Sequence, residues 1–408
     1  MSEVSGQPVR LWHVVSLTTA VQAVMFLAVT MLTAIAPAIG QSLGIPEALI
    51  GYQISIVFGS ASLFSLIAGT LIRRFGACRT AQFSLGFGLT GCIIALVPHV
   101  AALALASVFI GFGYSLTNPS ASHLLGRFAT GPRRNFIFSV KQTGVPIGGA
   151  AAGLIAPPLT VAFGWQAVPL VVGLILVTIG VILQTRRNGW DDDRDPAWRM
   201  TESPLAGLAM IWRDPPIRWL VGGSFFYTIT QLSLLAFLVN MLVEDVGISL
   251  VTAGLVLSVT QVATVFGRLF WGWISDRLAQ GGTLLAGIGC IAALGALVTT
   301  QVTPAWPMPA LIVLFVLFGV AGVGWNGVYM AELARLSPQG RIGSTTGASL
   351  AITFAGVMVG PSVLATIHAS LGSYTTTFGL LIFVSLAGAA LSFASSVSAR
   401  KKRLAPSE

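Results

Sequence analysis

Lys141 is the residue whose type and surroundings most directly suggest chemistry. It is the only lysine before the C-terminal tail, and it lies inside a long apolar segment, 136–161. If this segment crosses a membrane, burying the ammonium is costly unless it faces a cavity or a partner. No Asp or Glu lies at mid-depth in the apolar segments to neutralise it. Lys141 is therefore a candidate anchor for an anionic solute, and the alternative is that its long side chain reaches the membrane surface.

Further candidate binding residues are amides and aromatic rings near the middle of apolar segments. Tyr227 and Gln231 are four residues apart, as are Trp325 and Tyr329, so each pair shares one helix face. A cation, amides and aromatic rings suit a small carboxylate with an apolar or aromatic body. Each residue taken alone is also compatible with an interhelical hydrogen bond or packing. The predicted substrate-binding residues are Gln22, Asn118, Lys141, Gln142, Tyr227, Gln231, Trp325, Asn326 and Tyr329.

The elements that must position these residues are predicted to be transmembrane helices. Of the 408 residues, 55% are hydrophobic and 9% are charged, whereas soluble chains carry about 25% charged residues. This composition excludes a soluble enzyme, a nucleic-acid-binding domain and a disordered protein. A spanning helix needs roughly 20 apolar residues. Twelve such runs are predicted, at about 12–38, 48–72, 80–97, 99–125, 136–161, 165–185, 218–243, 249–273, 283–301, 307–333, 343–369 and 373–396.

The distribution of positive charge predicts the orientation of the chain. With twelve spans, 21 of the 22 Lys and Arg residues fall on one side of the membrane, including Arg268 and Arg277 at the connection between spans 8 and 9. The positive-inside rule then places both termini in the cytoplasm. The net charge of +9 follows from this asymmetry rather than from nucleic-acid binding. We expect a multi-pass protein of a bacterial inner membrane, in contact with the lipid bilayer.

A polar stretch over 186–217 divides the predicted spans into two sets of six. It predicts an N-terminal six-helix bundle over 1–185, a cytoplasmic linker over 186–217, and a C-terminal six-helix bundle with a short basic tail over 218–408. Three adjacent Asp without a turn glycine do not form a calcium loop. We therefore expect a solvated strip near the basic loop ends, rather than a metal site, from Asp191, Asp192, Asp193 and Asp195.

The two halves look like repeats of each other. Gln22 and Gln231 are 209 residues apart, and Asn118 and Asn326 are 208 residues apart. Gly111 and Gly319 are also 208 residues apart, and Gly69 and Gly272 differ by 203. Near-constant offsets of about half the chain indicate an internal duplication.

Similar loops follow spans 2 and 8. The first reads Gly69-Thr-Leu-Ile-Arg73-Arg74-Phe-Gly76-Ala-Cys-Arg79, and the second reads Gly272-Trp-Ile-Ser-Asp276-Arg277-Leu. They resemble the Gly-x-x-x-Asp-Arg-x-Gly-Arg-Arg/Lys loops of the major facilitator superfamily. With the twelve spans and the two halves, the resemblance covers the whole chain. It implies an all-α membrane protein with twelve transmembrane helices in two pseudo-symmetric six-helix bundles.

The loop residues are predicted to control helix movement. Their glycines permit close helix approach, and a carboxylate in the loop can bind the positive N-terminus of a neighbouring helix. Asp276 can do so, whereas Arg73 at the equivalent position cannot. The resemblance also suggests that Glu332 pairs with loop arginines, the alternative being a proton site. The predicted gating residues are Gly69, Arg74, Gly76, Arg79, Gly272, Asp276, Arg277 and Glu332.

Two further positions bear on coupling and motion. Many members of the family carry an arginine where this chain has Ser107, so a residue often linked to proton coupling is missing. In span 5, Gly149 and Gly153 are expected to form a small face for tight helix contact. Pro146 is expected to loosen the same helix.

These features predict a secondary transporter that moves a small solute by alternating access, as a monomer, without metal or cofactor. The favoured solute is an organic anion, and proton symport follows if Lys141 is neutral when empty and binds a proton with the anion. The alternative is an efflux antiporter for drugs or metabolites. An enzyme is disfavoured, and no catalytic residue is predicted, because the spans contain no cluster of His, Asp, Glu or Cys. His123 and His368 are expected to pack or to bond locally.

Overall fold

The computed structural model describes residues 10–45, 47–198, 203, 205–278 and 280–404, and within these ranges it contains helices and no strand. Helices suit these apolar segments because each satisfies its own backbone hydrogen bonds within a membrane. The helices are α1 (Leu11–Ala34), α2 (Ala36–Leu43), α3 (Glu47–Ser65), α4 (Ala68–Phe75), α5 (Ala77–Ala95), α6 (Val100–Phe128), α7 (Arg134–Gln142), α8 (Gly144–Phe163), α9 (Ala167–Gln184), α10 (Arg187–Trp190), α11 (Ala206–Arg213), α12 (Pro215–Glu244), α13 (Leu250–Leu278), α14 (Gly281–Thr299), α15 (Met308–Gly322), α16 (Asn326–Leu336), α17 (Ile342–Leu371), α18 (Tyr374–Thr377) and α19 (Leu380–Leu404).

The described helices include ten stretches that are long and apolar enough to cross a membrane. An eleventh crossing is obtained if Tyr52–Ser65 and Ala68–Phe75, which meet at 56°, count as one bent span. The sequence predicts twelve crossings, and the remaining predicted span, 80–97, coincides with α5. This helix has 19 residues and carries Arg79 in its first turn. The chain is an integral, multi-pass, all-α membrane protein.

One compact unit of the chain comprises Met1–Gly131, Val140–Leu208 and Ser337–Ala351. Within this unit 1, α8 packs on α1, and a Cβ added to Gly148 would overlap the carbonyl oxygen of Ala23. The expectation of a tight face is wrong at Gly153, which is exposed and whose Cβ position has no atom within 4 Å. At Gly149 the approach is close, since a Cβ there would lie 3.3 Å from the Phe26 ring of α1. The buried residues of α8 are four apart, namely Gly144, Gly148, Ala152 and Ala156, and Gly144 and Gly148 lie against α1.

The other compact unit comprises Pro132–Ser139, Ala209–Leu336 and Ile352–Glu408. Within this unit 2, the ring of Tyr227 fills space that two glycines leave between helices. A Cβ on Gly289 would lie 2.7 Å from the Tyr227 hydroxyl, and one on Gly388 would lie 3.0 Å from its ring. The hydroxyl donates to the carbonyl of Leu285 at 2.7 Å, and Tyr227 is 2% exposed. This position serves helix packing, and a role of Tyr227 in substrate binding stays a prediction.

Arg268 lies much deeper in its helix than the sequence analysis expected. The expected place, the connection between spans 8 and 9, is wrong, because α13 continues to Leu278. Ten further residues (278 − 268) of helix correspond to about 15 Å, and Arg268 is 2% exposed. A cation at such a depth needs a polar environment. Lys141 and Arg268 are both buried cations in apolar helices of the described chain.

The acidic run of the linker is bound to unit 1. Asp191 accepts hydrogen bonds from the N–H groups of Cys78 at 2.6 Å and Arg79 at 3.0 Å, in the first turn of α5. It is 3% exposed, so the expectation of a solvated strip is wrong at this residue. Asp192 and Asp193 do lie near a basic loop end, since they contact the Arg127 guanidinium at 2.7 and 2.9 Å.

The pKa values of Asp191 and Asp193 are shifted in opposite directions. Burial raises the pKa of Asp191, against the two backbone N–H bonds that lower it. Burial also opposes ionisation of Asp193, but the hydrogen bond and charge of His123 and the charge of Arg127 lower its pKa overall. Because its pKa is lowered in the folded protein, Asp193 stabilises the fold at pH values above the ordinary pKa of an aspartate. This contribution is lost as the pH falls through the lowered pKa. The contact of His123 with Asp193 is 2.7 Å, which confirms that this histidine bonds locally.

Candidate functional site

Lys141 and Gln142 lie at a break between two helices. α7 ends at Gln142 and α8 begins at Gly144. Pro146 accounts for this position, because it has no N–H to donate to the carbonyl of Gln142 and its ring clashes with that carbonyl. The proline therefore places the lysine on the last turn of a short helix.

Four of the predicted residues meet at this break and form what we term the lysine cluster, made of Gln22, Asn118, Lys141 and Gln142. The ammonium of Lys141 donates to Oε1 of Gln22 at 2.7 Å and to Oδ1 of Asn118. Nε2 of Gln142 lies 3.4 Å from the same Asn118 oxygen. Lys141 is 2% exposed, so its ammonium lies inside the protein and does not reach the surface. Residues of α1, α6 and α7 are thereby joined in unit 1.

Tyr114 extends the lysine cluster, although it is not among the residues predicted from the sequence. Its hydroxyl lies 3.5 Å from Nε2 of Gln22, and it is 5% exposed. Its ring packs against Phe26 and Phe58 at centroid distances of 5.8 Å. The available signal was spacing, because Tyr114 precedes Asn118 by four residues and so lies on the same face of α6.

Unit 2 contains a second polar cluster, which also lies at a helix break. α15 ends at Gly322 and α16 begins at Asn326. Oε1 of Gln231 accepts hydrogen bonds from Nε1 of Trp325 and from Nδ2 of Asn326, each at 3.0 Å. We term Gln231, Trp325 and Asn326 the glutamine cluster. Gln231 and Asn326 are half-buried, so their amides are the accessible part of this cluster.

The break between α15 and α16 leaves a backbone carbonyl without its helical partner, and a side chain fills the gap. Nε1 of Trp271 donates to the carbonyl oxygen of Val320 at 2.8 Å. Such a replacement is required inside a membrane, because an unsatisfied carbonyl costs several kcal/mol there. Trp271 therefore supports the shape of the break, although it has no direct contact with Gln231 among the hydrogen bonds described.

Aromatic rings line the buried side of the glutamine cluster. The rings of Tyr227 and Trp325 have centroids 5.4 Å apart, and those of Trp325 and Tyr329 are 5.3 Å apart. Trp325 and Tyr329 are each 1% exposed. The structure thus brings all five residues predicted in this half together, with the rings inside and the amides towards the accessible side.

We expect Gln231→Leu to destabilise unit 2. The substitution leaves Nε1 of Trp325 without its acceptor, and an unsatisfied buried donor costs about 1–3 kcal/mol. Nδ2 of Asn326 loses one of its two acceptors and keeps the carbonyl of Val323 at 3.2 Å. Thermal unfolding of the purified protein would show a lower midpoint. Gln231→Glu is the matched control, because a carboxylate still accepts both hydrogen bonds. Equal destabilisation by both substitutions would contradict the assignment of Gln231 as the shared acceptor.

The loop after span 8 caps a helix within unit 2. Asp276 accepts hydrogen bonds from the N–H groups of Asn135 at 2.8 Å and Phe136 at 2.9 Å, in the first turn of α7. Gly272 permits this approach, since a Cβ there would overlap the side chain of Ser139. The guanidinium of Arg277 lies 3.8 Å from the Trp273 ring centroid.

Glu332 forms an ion pair near the end of α16. Its carboxylate accepts from the Arg335 guanidinium at 2.5 and 2.7 Å. Glu332 is 4% exposed. The expected pairing of Glu332 with an arginine is therefore present, and the partner is one helical turn away on the same helix.

The loop after span 2 is arranged differently within unit 1. A Cβ on Gly69 would overlap Ser344 of α17, so the close helix approach is preserved. Gly76 has φ of +93°, a conformation that favours glycine, and it precedes the N–H groups that Asp191 caps. Arg79 contributes one of these N–H groups, while the Arg74 guanidinium lies 5.4 Å from the Phe75 ring centroid.

We expect Asp276→Ala to lower the stability of the protein by about 1 kcal/mol, the usual cost of losing a helix cap. The physical reason is that two N–H groups of α7 lose their acceptor while the positive helix end loses its counter-charge. A thermal unfolding midpoint checks this expectation. Asp276→Asn is the control, since it keeps one acceptor and should lose less. An unchanged midpoint in the alanine variant would argue against the cap.

Comparison with known proteins places the chain in a family. The model of the Major Facilitator Superfamily matches residues 18–361 and 241–408. The chain is 21% identical over 360 residues to a hexuronate transporter of Bacillus subtilis, covering 82% of this chain and 84% of that protein. It is 23% identical over 300 residues to the 4-hydroxybenzoate transporter PcaK of Acinetobacter baylyi, covering 65% of each.

A solved structure shows a similar fold. The crystal structure of the E. coli fucose:proton symporter FucP aligns with a TM-score of 0.71 at 16% identity, over 95% of this chain and 98% of that one. The family match spans nearly the whole chain, and the helical membrane fold agrees with it. The chain therefore belongs to the Major Facilitator Superfamily and is a secondary transporter of a small solute, not an enzyme.

Proposed function

We propose that this transporter carries a small organic anion and that Lys141 binds its carboxylate. The observation that carries the proposal is the lysine cluster, where a buried ammonium is held by the amide oxygens of Gln22 and Asn118. Amide oxygens fix the direction of the ammonium but supply no net negative charge. A carboxylate is the group that would complete such a site by a charge-assisted hydrogen bond.

The charge of the surrounding helices supports this proposal. α1, α6, α7 and α8 contain no Asp or Glu. Among the described residues of unit 1, the buried carboxylate is Asp191, which belongs to the linker and caps α5. In this proposal the solute brings a carboxylate to the lysine cluster.

The two curated relatives described above also favour an organic anion. Hexuronates and 4-hydroxybenzoate are both small carboxylates, one with a polar body and one with an aromatic body. The glutamine cluster offers amides backed by aromatic rings, so Gln231 and Asn326 are proposed as further substrate contacts. In this proposal the buried rings of Tyr227, Trp325 and Tyr329 do not touch the substrate but hold these amides in place.

We further propose proton symport, a bacterial inner-membrane location and cytoplasmic termini. Proton symport follows if the empty site holds a neutral lysine and the carboxylate enters with a proton, which makes the step electroneutral. Purified protein in liposomes would show this as substrate-driven alkalinisation outside the vesicles. Uptake without proton movement would rule out this coupling while leaving the anion site intact.

The experiment that tests the function is a thermal-shift screen of the purified protein. The probes are 4-hydroxybenzoate, a hexuronate, their uncharged methyl esters and a lipophilic cationic drug. A ligand at 100 times its Kd stabilises a protein by about 2.7 kcal/mol. We expect stabilisation by at least one carboxylate and none by its ester. Stabilisation by the cationic drug alone would favour the efflux alternative and overturn the anion proposal.

A further inference from the structure

The two units contain matching loop–helix contacts with opposite charge. In unit 2, Gly272 approaches Ser139 of α7, and in unit 1, Gly69 approaches Ser344 of α17. Four residues after each glycine stand Asp276 and Arg73, respectively. Asp276 caps α7, as described above, whereas Arg73 has no carboxylate to offer α17. The first turn of α17 contains no acidic residue of its own.

A cavity at the start of α17 receives carboxylates from another part of the chain. It has a volume of about 500 Å³, and its lining includes Gly340, Gly343 and Ser344 at the helix start. Asp193 and Asp195 of the linker line the same cavity. The other charged or titratable residues of this lining are Arg73, His123 and Arg341. Two acidic residues of the linker therefore line the cavity into which the positive end of α17 opens. The Asp193 carboxylate also binds Arg127 at 2.9 Å, and that of Asp195 accepts the N–H of Ala197 at 3.1 Å.

Arg73 holds the linker segment in this position. Its guanidinium lies 3.2 Å from the centroid of the Trp198 ring, a cation–π contact. Its backbone carbonyl accepts the N–H of Asp195 at 2.8 Å. His123 binds Asp193 at 2.7 Å from α6. Arg73, which stands where a carboxylate would be expected in the loop, thus anchors the linker segment that carries Asp193 and Asp195.

We propose that Asp193 and Asp195 are positioning residues of the transport machinery, which take over at α17 the role that Asp276 has at α7. The linker is then a working part of the transporter in this chain and more than a connection between two bundles. The inference is independent of the anion proposal, because it concerns the helix α17 and makes no use of Lys141 or of the substrate.

Hydrogen exchange of the purified full-length protein in lipid nanodiscs tests this inference without any substrate. In the double variant Asp193→Asn/Asp195→Asn, peptides covering the start of α17 should exchange about 3- to 30-fold faster, as expected for the loss of two charges at a helix N-terminus. Adding Arg73→Asp restores a carboxylate in the loop itself. The triple variant should therefore return exchange at α17 to within about twofold of wild type.

The controls separate this role from a general effect of the linker. Asp192→Asn removes the same charge from a side chain that is 59% exposed and binds Arg127, and it should leave α17 unchanged. If the double variant does not fold, each single isosteric variant is measured in its place. Unchanged exchange at α17 in the Asp193 and Asp195 variants would overturn the inference. Failure of Arg73→Asp to restore protection of α17 would also overturn the inference. If the linker were purely structural, removing its anchor Arg73 would reduce the protection of α17 further.

Discussion

Lys141→Ala is expected to abolish stabilisation by carboxylates and to weaken their binding by roughly 10- to 150-fold, the range of one hydrogen bond to a charged group. The reason is that the variant removes the ammonium from the lysine cluster but leaves the amides of Gln22 and Asn118, which can then bond to each other or to water. The ligand-induced thermal shift of purified wild-type and variant protein measures this loss.

Two further substitutions sharpen the result at Lys141. Lys141→Gln has a similar length without the charge and should behave like the alanine variant. Lys141→Arg keeps the charge, but its planar fork does not reproduce the geometry of an ammonium, so we expect partial binding. Normal uptake of the carboxylate by both the alanine and the arginine variants would refute the role of Lys141 as anion anchor.

Gly148→Leu should have the largest effect on stability of the substitutions considered, because α8 contacts the backbone of α1 at this residue. The new side chain overlaps the carbonyl of Ala23, and neither helix can yield without losing the contacts of Gly144 and Ala152. Overpacking of a close interface costs about 1–3 kcal/mol, and more where the backbone must move. Loss of monodisperse protein in detergent, or a large drop in the unfolding midpoint, would be the observed result.

Gly153→Leu provides the matched control on the same helix. Its Cβ position has open space and the residue is exposed, so the leucine overlaps no neighbouring atom there. We expect an unfolding midpoint within error of wild type. A similar loss of stability in both variants would show that leucine at any glycine of α8 disturbs the helix, and the close contact with α1 would no longer explain Gly148.

The duplication of the chain accounts for the likeness of the two polar clusters and for their difference. The offset of 208 residues relates Asn118 to Asn326, and the same offset relates Lys141 to Ser349. Both halves therefore keep a Gln and an Asn at equivalent positions, while the position equivalent to Lys141 is a serine. The charged anchor is a property of one repeat, while the neutral hydrogen-bonding groups are common to both.

Much of the architecture was determined by the sequence itself. Continuous apolar runs of about 20 residues predict membrane-spanning helices because backbone groups must be satisfied within the segment. Pro146 predicts a disturbed helix because a proline removes a hydrogen bond wherever it stands, and the break is found four residues before it. The loop glycines with Asp276 pointed to the family, which the family model bears out over nearly the whole chain.

Only the tertiary structure decided which helix faces are in contact. In a soluble protein the buried face of a helix is apolar and the exposed face is polar, so the sequence distinguishes them. Here both the lipid and the protein interior are apolar, so the two faces have similar residues. For this reason the sequence could not separate Gly148, which contacts the backbone of α1, from Gly153, which has no such contact. It likewise could not assign the depth of Arg268, since a cation in an apolar run is compatible with a buried place or a helix end.

The partners of the polar residues were also beyond the sequence. Asp191 caps an N–H group 113 residues away, and Lys141 bonds an oxygen 119 residues away. Many groups along the chain could chemically accept from a lysine or donate to an aspartate. Only those whose atoms come within about 3.2 Å form the hydrogen bond. Composition and spacing determined which residues needed partners, and only the packing of helices in space decided which partners they have.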